Sequence, residues 1–84
     1  MVAMTCDPVE YRGCEDMKIK RDEGGELLMT CFRFDDDNGV QTQFYVTDPR
    51  ELENMNMLVR GGLYNLKLNI GKGNKAKLLG VSEV

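Results

Sequence analysis

The dipeptide Asn38-Gly39 constrains this chain more than any other feature, because a two-residue hairpin turn needs positive φ at both central positions and this pair supplies it at little cost. It stands between two runs, Glu26 to Asp36 and Val40 to Thr47, that are rich in Phe, Tyr, Val and Thr. Such runs around such a turn predict a β-hairpin. The turn then sets the register. Pairing Asp37 with Val40 puts Cys31 opposite Val46, Phe32 opposite Tyr45, Arg33 opposite Phe44 and Phe34 opposite Gln43. One face would carry Met29, Cys31, Phe44 and Val46, and the other Thr30, Phe32, Phe34, Gln41, Gln43 and Tyr45.

Further elements follow from pattern. Upstream, Met17 and Ile19 alternate with Lys18 and Lys20, so Tyr11 to Arg21 is a first strand, closed by the turn Asp22-Glu23-Gly24-Gly25. Downstream, Asp48-Pro49-Arg50-Glu51 offers a capping residue, Pro at the first helical position and an acid in the first turn. This predicts a short helix from Asp48 to Val59 that buries Leu52, Met55, Leu58 and Val59 and stops at Gly61-Gly62. Tyr64, Leu66, Leu68 and Ile70 then alternate with Asn65, Lys67 and Asn69, the cleanest period-two pattern in the chain. After Gly71-Lys72-Gly73-Asn74 comes a last strand, Lys75 to Val84, with Ala76 and Leu78 on one face and Leu79 and Val81 on the other.

The expected order is therefore three strands, a short helix and two strands within one domain spanning 1–84. That is the order of a small, all-β, five-stranded OB-like antiparallel barrel with its helix between strands three and four. A curled antiparallel sheet or an α+β roll is the other arrangement with this element order. A chain of 84 residues buries only about 60% of its unfolded surface, so a barrel or self-association is the expected route to an adequate core.

Composition narrows function. The chain has no histidine, which removes the commonest general base and the commonest metal ligand together. No Ser/His/Asp or Cys/His constellation is possible without it, paired carboxylates fall on no predicted cleft, and no enzymatic role, cofactor or metal site is expected. Asp35-Asp36-Asp37-Asn38-Gly39 lacks the sixth-position glycine and twelfth-position Glu of a calcium loop. Gly71-Lys72-Gly73 is only a fragment of a phosphate loop. Three cysteines, Cys6, Cys14 and Cys31, lie outside any Cys-x-x-Cys spacing and read as reduced thiols. With no basic start followed by an apolar stretch, and no run of about 20 apolar residues, the expectation is a cytoplasmic protein without membrane contact.

The aromatic hairpin face is the sharpest candidate for binding. Bases of an unpaired strand stack on exposed rings, which points to Phe32, Phe34 and Tyr45, with Gln43 able to hydrogen-bond beside them. Net charge is −3, but residues 1–59 hold six basic and thirteen acidic side chains whereas residues 60–84 hold five and one. Lys18, Lys20 and Arg21 on the first strand, with Lys67, Lys72, Lys75 and Lys77 on the last hairpin, form the available basic stripe for phosphates. A second reading makes the aromatic face and the Met55/Met57 segment a surface for a protein partner.

The stretch Gly62-Leu63-Tyr64-Asn65-Leu66-Lys67-Leu68, a glycine-containing turn, and then Ala76 to Val84 with Leu78, Leu79 and Val81 resembles the closing strands of the helix-destabilising, single-stranded-DNA-binding proteins of filamentous phages. The resemblance covers roughly 25 residues. It implies an OB-like barrel that forms a symmetric homodimer and coats unpaired DNA cooperatively with basic side chains and stacking aromatics. The acidic balance and the capped segment after Asp48 depart from that pattern.

Overall fold

A computed structural model describes residues 1–5 and 7–84, except for the side chain of Asn74. Cys6, and any pairing of it with Cys14, lies outside the described residues. The fold is an all-β antiparallel sheet of six strands: β1 (Val2–Met4), β2 (Val9–Lys20), β3 (Glu26–Asp35), β4 (Gln41–Val46), β5 (Leu63–Ile70) and β6 (Ala76–Glu83). No helix among the described residues is long and apolar enough to cross a membrane.

Side by side, the strands run β4-β3-β2-β5-β6. β1 shares an edge of β5 with the start of β2: Met4 pairs with Lys67, and Val9 pairs with Tyr64. The first ten residues thus track β5 almost continuously, and Thr5 bridges the break by accepting from Leu66 N–H through Oγ1 at 2.9 Å. β1 goes beyond the five strands expected, because three residues carry no periodicity. At the bulge between Tyr11 and Gly13, β2 leaves β5 and runs on with β3, and past the Asp16–Thr30 pair, where β4 ends, the two continue alone as a two-stranded arm, Met17 to Lys20 against Glu26 to Met29. The molecule is accordingly elongated, 42 × 29 × 24 Å.

The 38–39 hairpin forms, but its register is one residue from the expected one. Thr30 pairs with Val46, Cys31 with Tyr45, Phe32 with Phe44, Arg33 with Gln43 and Phe34 with Thr42. The cause is local. Asp36 Oδ1 accepts from the backbone N–H of Asn38 at 2.9 Å and of Val40 at 2.8 Å, and Asp36 N–H bonds Val40 O at 3.0 Å. This closes a three-residue loop, Asp37-Asn38-Gly39, with Gly39 at φ +80° in the left-handed region. A slip of one residue turns the partner strand over. Phe32, Phe34 and Phe44 therefore share the inner face, whereas Tyr45 and Gln43 lie on the opposite face with Arg33 and with Cys31, which is buried there at 1% exposure.

The inner face holds the core: Tyr11, Phe32, Phe34, Phe44, Tyr64, Leu66, Leu78 and Val81. Phe34, 1% exposed, lies 5.5 Å from the Tyr11 ring and meets Phe44 edge-on at 6.1 Å. In β5 the expected alternation holds, with Tyr64 and Leu66 buried. In β6 it does not. Leu68 pairs with Leu78 but Lys67 with Gly80, so Leu79 is the extra residue of a bulge and Leu78 and Val81 both turn inward.

The helix expected from Asp48 to Val59 is replaced by two single 3₁₀ turns, Pro49–Glu51 and Met55–Met57. Its start signal is honoured: Asp48 Oδ1 accepts from Arg50 N–H at 3.1 Å, with Pro49 in the first turn. Leu52 then turns extended and Glu53 pairs with Gly80 in a parallel bridge, donating to Leu79 O at 3.0 Å and accepting from Val81 N–H at 3.1 Å. Sheet-edge bonds outcompete the second helical turn. Leu52, Met55, Met57 and Leu58 still pack on the core, but Val59 is exposed. Tyr64 Oη pins the far end, donating to Met57 O at 3.0 Å and accepting from Val59 N–H at 2.7 Å.

Candidate nucleic-acid interface

The structure divides the sequence-predicted site residues among several places. Phe32 and Phe34 are inner-face residues, 5% and 1% exposed, so the expected three-ring platform with Tyr45 does not form. The one-residue register shift is the reason. Tyr45 alone of the three presents its ring, 52% exposed, on the outer face of β4. It heads a ladder of side-chain hydrogen bonds: Tyr45 Oη donates to Gln43 Oε1 at 3.0 Å, Gln43 Nε2 to Gln41 Oε1 at 3.2 Å, and Gln41 Nε2 to Asp35 Oδ1 at 3.3 Å. The ladder spaces polar groups along one strand and orients the phenol.

Tyr45 also reaches the seam between β4 and β6. These strands approach without pairing and leave a groove of ≈ 260 Å³ lined by Tyr45, Val46, Glu51 and, from β6, Lys77 and Leu78. Tyr45 and Lys77, which lie 32 positions apart in the chain, thereby flank one opening. Lys18 and Lys20 occupy alternate positions at the outer end of β2, and Arg21 follows at the tip of the arm. Lys18 lies 4.0 Å from Glu26, an exposed pair of little energetic weight. Lys67 is committed to Glu53, with both carboxylate oxygens at 3.1 Å. Lys72 and Lys75 are exposed at the β5–β6 turn. The basic residues thus stand in separate groups rather than as one stripe.

A second concavity brings together residues that the sequence did not group. It is a cavity of ≈ 530 Å³ between the root of the arm and the 49–58 connection, where Tyr11, Cys14 and Phe32 meet Arg50, Leu52, Met55 and Leu58. Arg60 lies flat over Gly13 nearby, its Nε donating to Arg12 O at 3.2 Å. Burial, aided by the Cys14 thiol, pushes the Tyr11 hydroxyl up to about 12, with Arg60 pulling the other way. Arg50 holds Asp48 below the usual carboxylate range. Helical spacing marks Leu52, Met55 and Leu58 in the sequence, but no pattern links them to Tyr11, Cys14 and Phe32; only the fold gathers them. Among the described residues, no group of His, Cys, Asp and Glu side chains is arranged to hold a metal ion.

Comparison with family models, with curated proteins and with solved structures returns no match to this chain.

Proposed function

We propose that this protein binds single-stranded nucleic acid, DNA in the first instance, without catalysing a reaction, as a homodimer of partly open five-stranded barrels in the cytoplasm. The observation that carries the reading is the half-exposed Tyr45 ring, oriented by Gln43, beside Lys77 at an open groove. A ring held at a groove with a cation on the facing rim suits a base and its phosphate. The strand order β4-β3-β2-β5-β6, with β4 and β6 facing each other as unpaired ends, supports the barrel. The Glu53 bridge takes up part of the β6 edge where closure would otherwise fall. Free thiols at Cys14 and Cys31 suit a reducing compartment.

Fluorescence anisotropy with a labelled dT oligonucleotide of about 4 to 16 nucleotides tests the reading. Binding should be tight at low salt and weak at high salt. Tyr45→Ala should weaken it by about 1 to 3 kcal/mol, the worth of one stacked base. No binding at low salt, or equal affinity for Tyr45→Ala with its fold intact, would overturn it.

A protein-partner reading has its own observation. On the outer face of the arm, Met17 pairs with Met29 and Ile19 with Leu27, and Ile19 is 40% exposed. This apolar strip is where a second chain, or the dimer mate, would dock. Ile19→Glu should abolish that association in sedimentation equilibrium.

A further inference from the structure

The cavity at the root of the arm falls within the range of about 300 to 1,000 Å³ typical of small-molecule sites. Two aromatic rings, Tyr11 and Phe32, line it from the sheet, and Leu52, Met55 and Leu58 line it from the connection. Hydrogen-bonding side chains, Cys14 and Asn56, stand among these apolar walls. One guanidinium stands in the lining, that of Arg50. Arg50 is 91% exposed and, among the described residues, bridged only to Asp48 at 3.1 Å, so a phosphate can compete for it. An apolar slot with aromatic walls, hydrogen-bonding groups and one cation in its lining matches a flat heteroaromatic ring carrying an anionic group. A nucleobase with its phosphate is that chemistry.

Resting on the single-strand reading above, we propose that this cavity receives one unstacked base of the bound strand, with its phosphate directed to Arg50. The site is distinct from the Tyr45 groove, and it gives the otherwise buried Phe32 ring a part in binding through the wall it presents. Tyr11 remains a neutral phenol here across the physiological range, able to donate or accept at the edge of the base.

Cys14 is exposed and serves as a reporter. Its alkylation by N-ethylmaleimide is followed in the tryptic peptide 13–18, which holds no other cysteine. A dT oligonucleotide at saturation should slow that reaction several-fold. Asn56→Asp, which sets a like charge in the path of the strand on an exposed residue, should weaken oligonucleotide binding by about fivefold with unchanged thermal stability. Oligonucleotide binding by anisotropy that leaves Cys14 alkylation and Asn56→Asp affinity unchanged would overturn this inference while the single-strand reading stands. Absence of any binding would remove both. Equal protection of Cys14 by thymidine monophosphate at matched nucleotide concentration would make this a free-nucleotide site and overturn the assignment to a strand.

Discussion

Tyr64 shows how one side chain fixes the geometry beside the larger cavity. Its ring is buried in the core, while its hydroxyl serves one donor and one acceptor of the connection that walls the ≈ 530 Å³ cavity. Tyr64→Phe keeps the ring but leaves Val59 N–H and Met57 O without their partner, at a cost of about 1 to 3 kcal/mol. The expected result in urea denaturation is a lower midpoint with an unchanged slope, together with faster amide exchange at Val59. Tyr11 makes a pH-dependent contribution of definite sign. Its ordinary value of 10.0 rises to about 12 chiefly through burial. The folded state therefore holds the phenolic proton more tightly than the unfolded chain. The corresponding stability is fully present below pH 10 and is lost as pH rises from 10 to about 12. Tyr11→Phe removes that dependence, so its alkaline unfolding limb should be shallower than that of the parent. An equal loss of stability in both proteins over this window would contradict the assignment.

At the level of elements, the 49–58 connection is held to β6 through Glu53 and Gly80. A Cβ on Gly80 would stand 2.7 Å from both the Cβ and the carbonyl oxygen of Glu53, and 2.9 Å from its nitrogen. Backbone cannot yield that distance without parting the bridge. Gly80→Ala should therefore break the bonds of Glu53 to Leu79 and Val81, destabilise the protein by about 2 to 3 kcal/mol, and release Lys67 from its ion pair. Unprotected amides at Glu53 and Val81 in hydrogen exchange, with β2–β3 protection retained, are the expected signature. The same contact explains why the helix predicted from the sequence does not continue past its first turn. Asp48, Pro49 and Glu51 are genuine start signals, and they act over one turn. The continuing bonds of Glu53 are made to residues 26 and 28 positions away, which a local pattern does not register. The hairpin was legible for the converse reason, since Gly39 and its flanking runs are neighbours in sequence. Its register was not, because the choice between two-residue and three-residue loops rests on Asp36 capping two backbone N–H groups. From that one-residue difference follows the separation of Tyr45 from Phe32 and Phe34, and with it most of the difference between the expected and observed site.

Over the whole molecule, charge and shape are arranged to make the arm a decisive test of binding. The net charge of −3 disfavours indiscriminate attraction to phosphate, so affinity must come from cations placed along the path of the strand. Lys18, Lys20 and Arg21 sit at the outer end of an arm on an elongated body 42 Å in length, and Lys72 and Lys75 on a different turn. Each phosphate contact to a single strand contributes about 0.7 to the slope of log affinity against log salt. Neutralising Lys18, Lys20 and Arg21 to Gln takes the net charge from −3 to −6 and, if all three meet phosphates, should lower that slope by about 2. Net charge alone would also weaken binding, so Lys72→Gln with Lys75→Gln, which takes the charge from −3 to −5, provides the comparison. A slope lowered by the arm substitutions and retained by the turn substitutions places the strand along the arm. The reverse pattern would place it along the β5–β6 turn, leaving the arm with its apolar strip of Met17, Ile19, Leu27 and Met29 as a protein contact. Equal small changes in both would mean that the cations act only through the overall field.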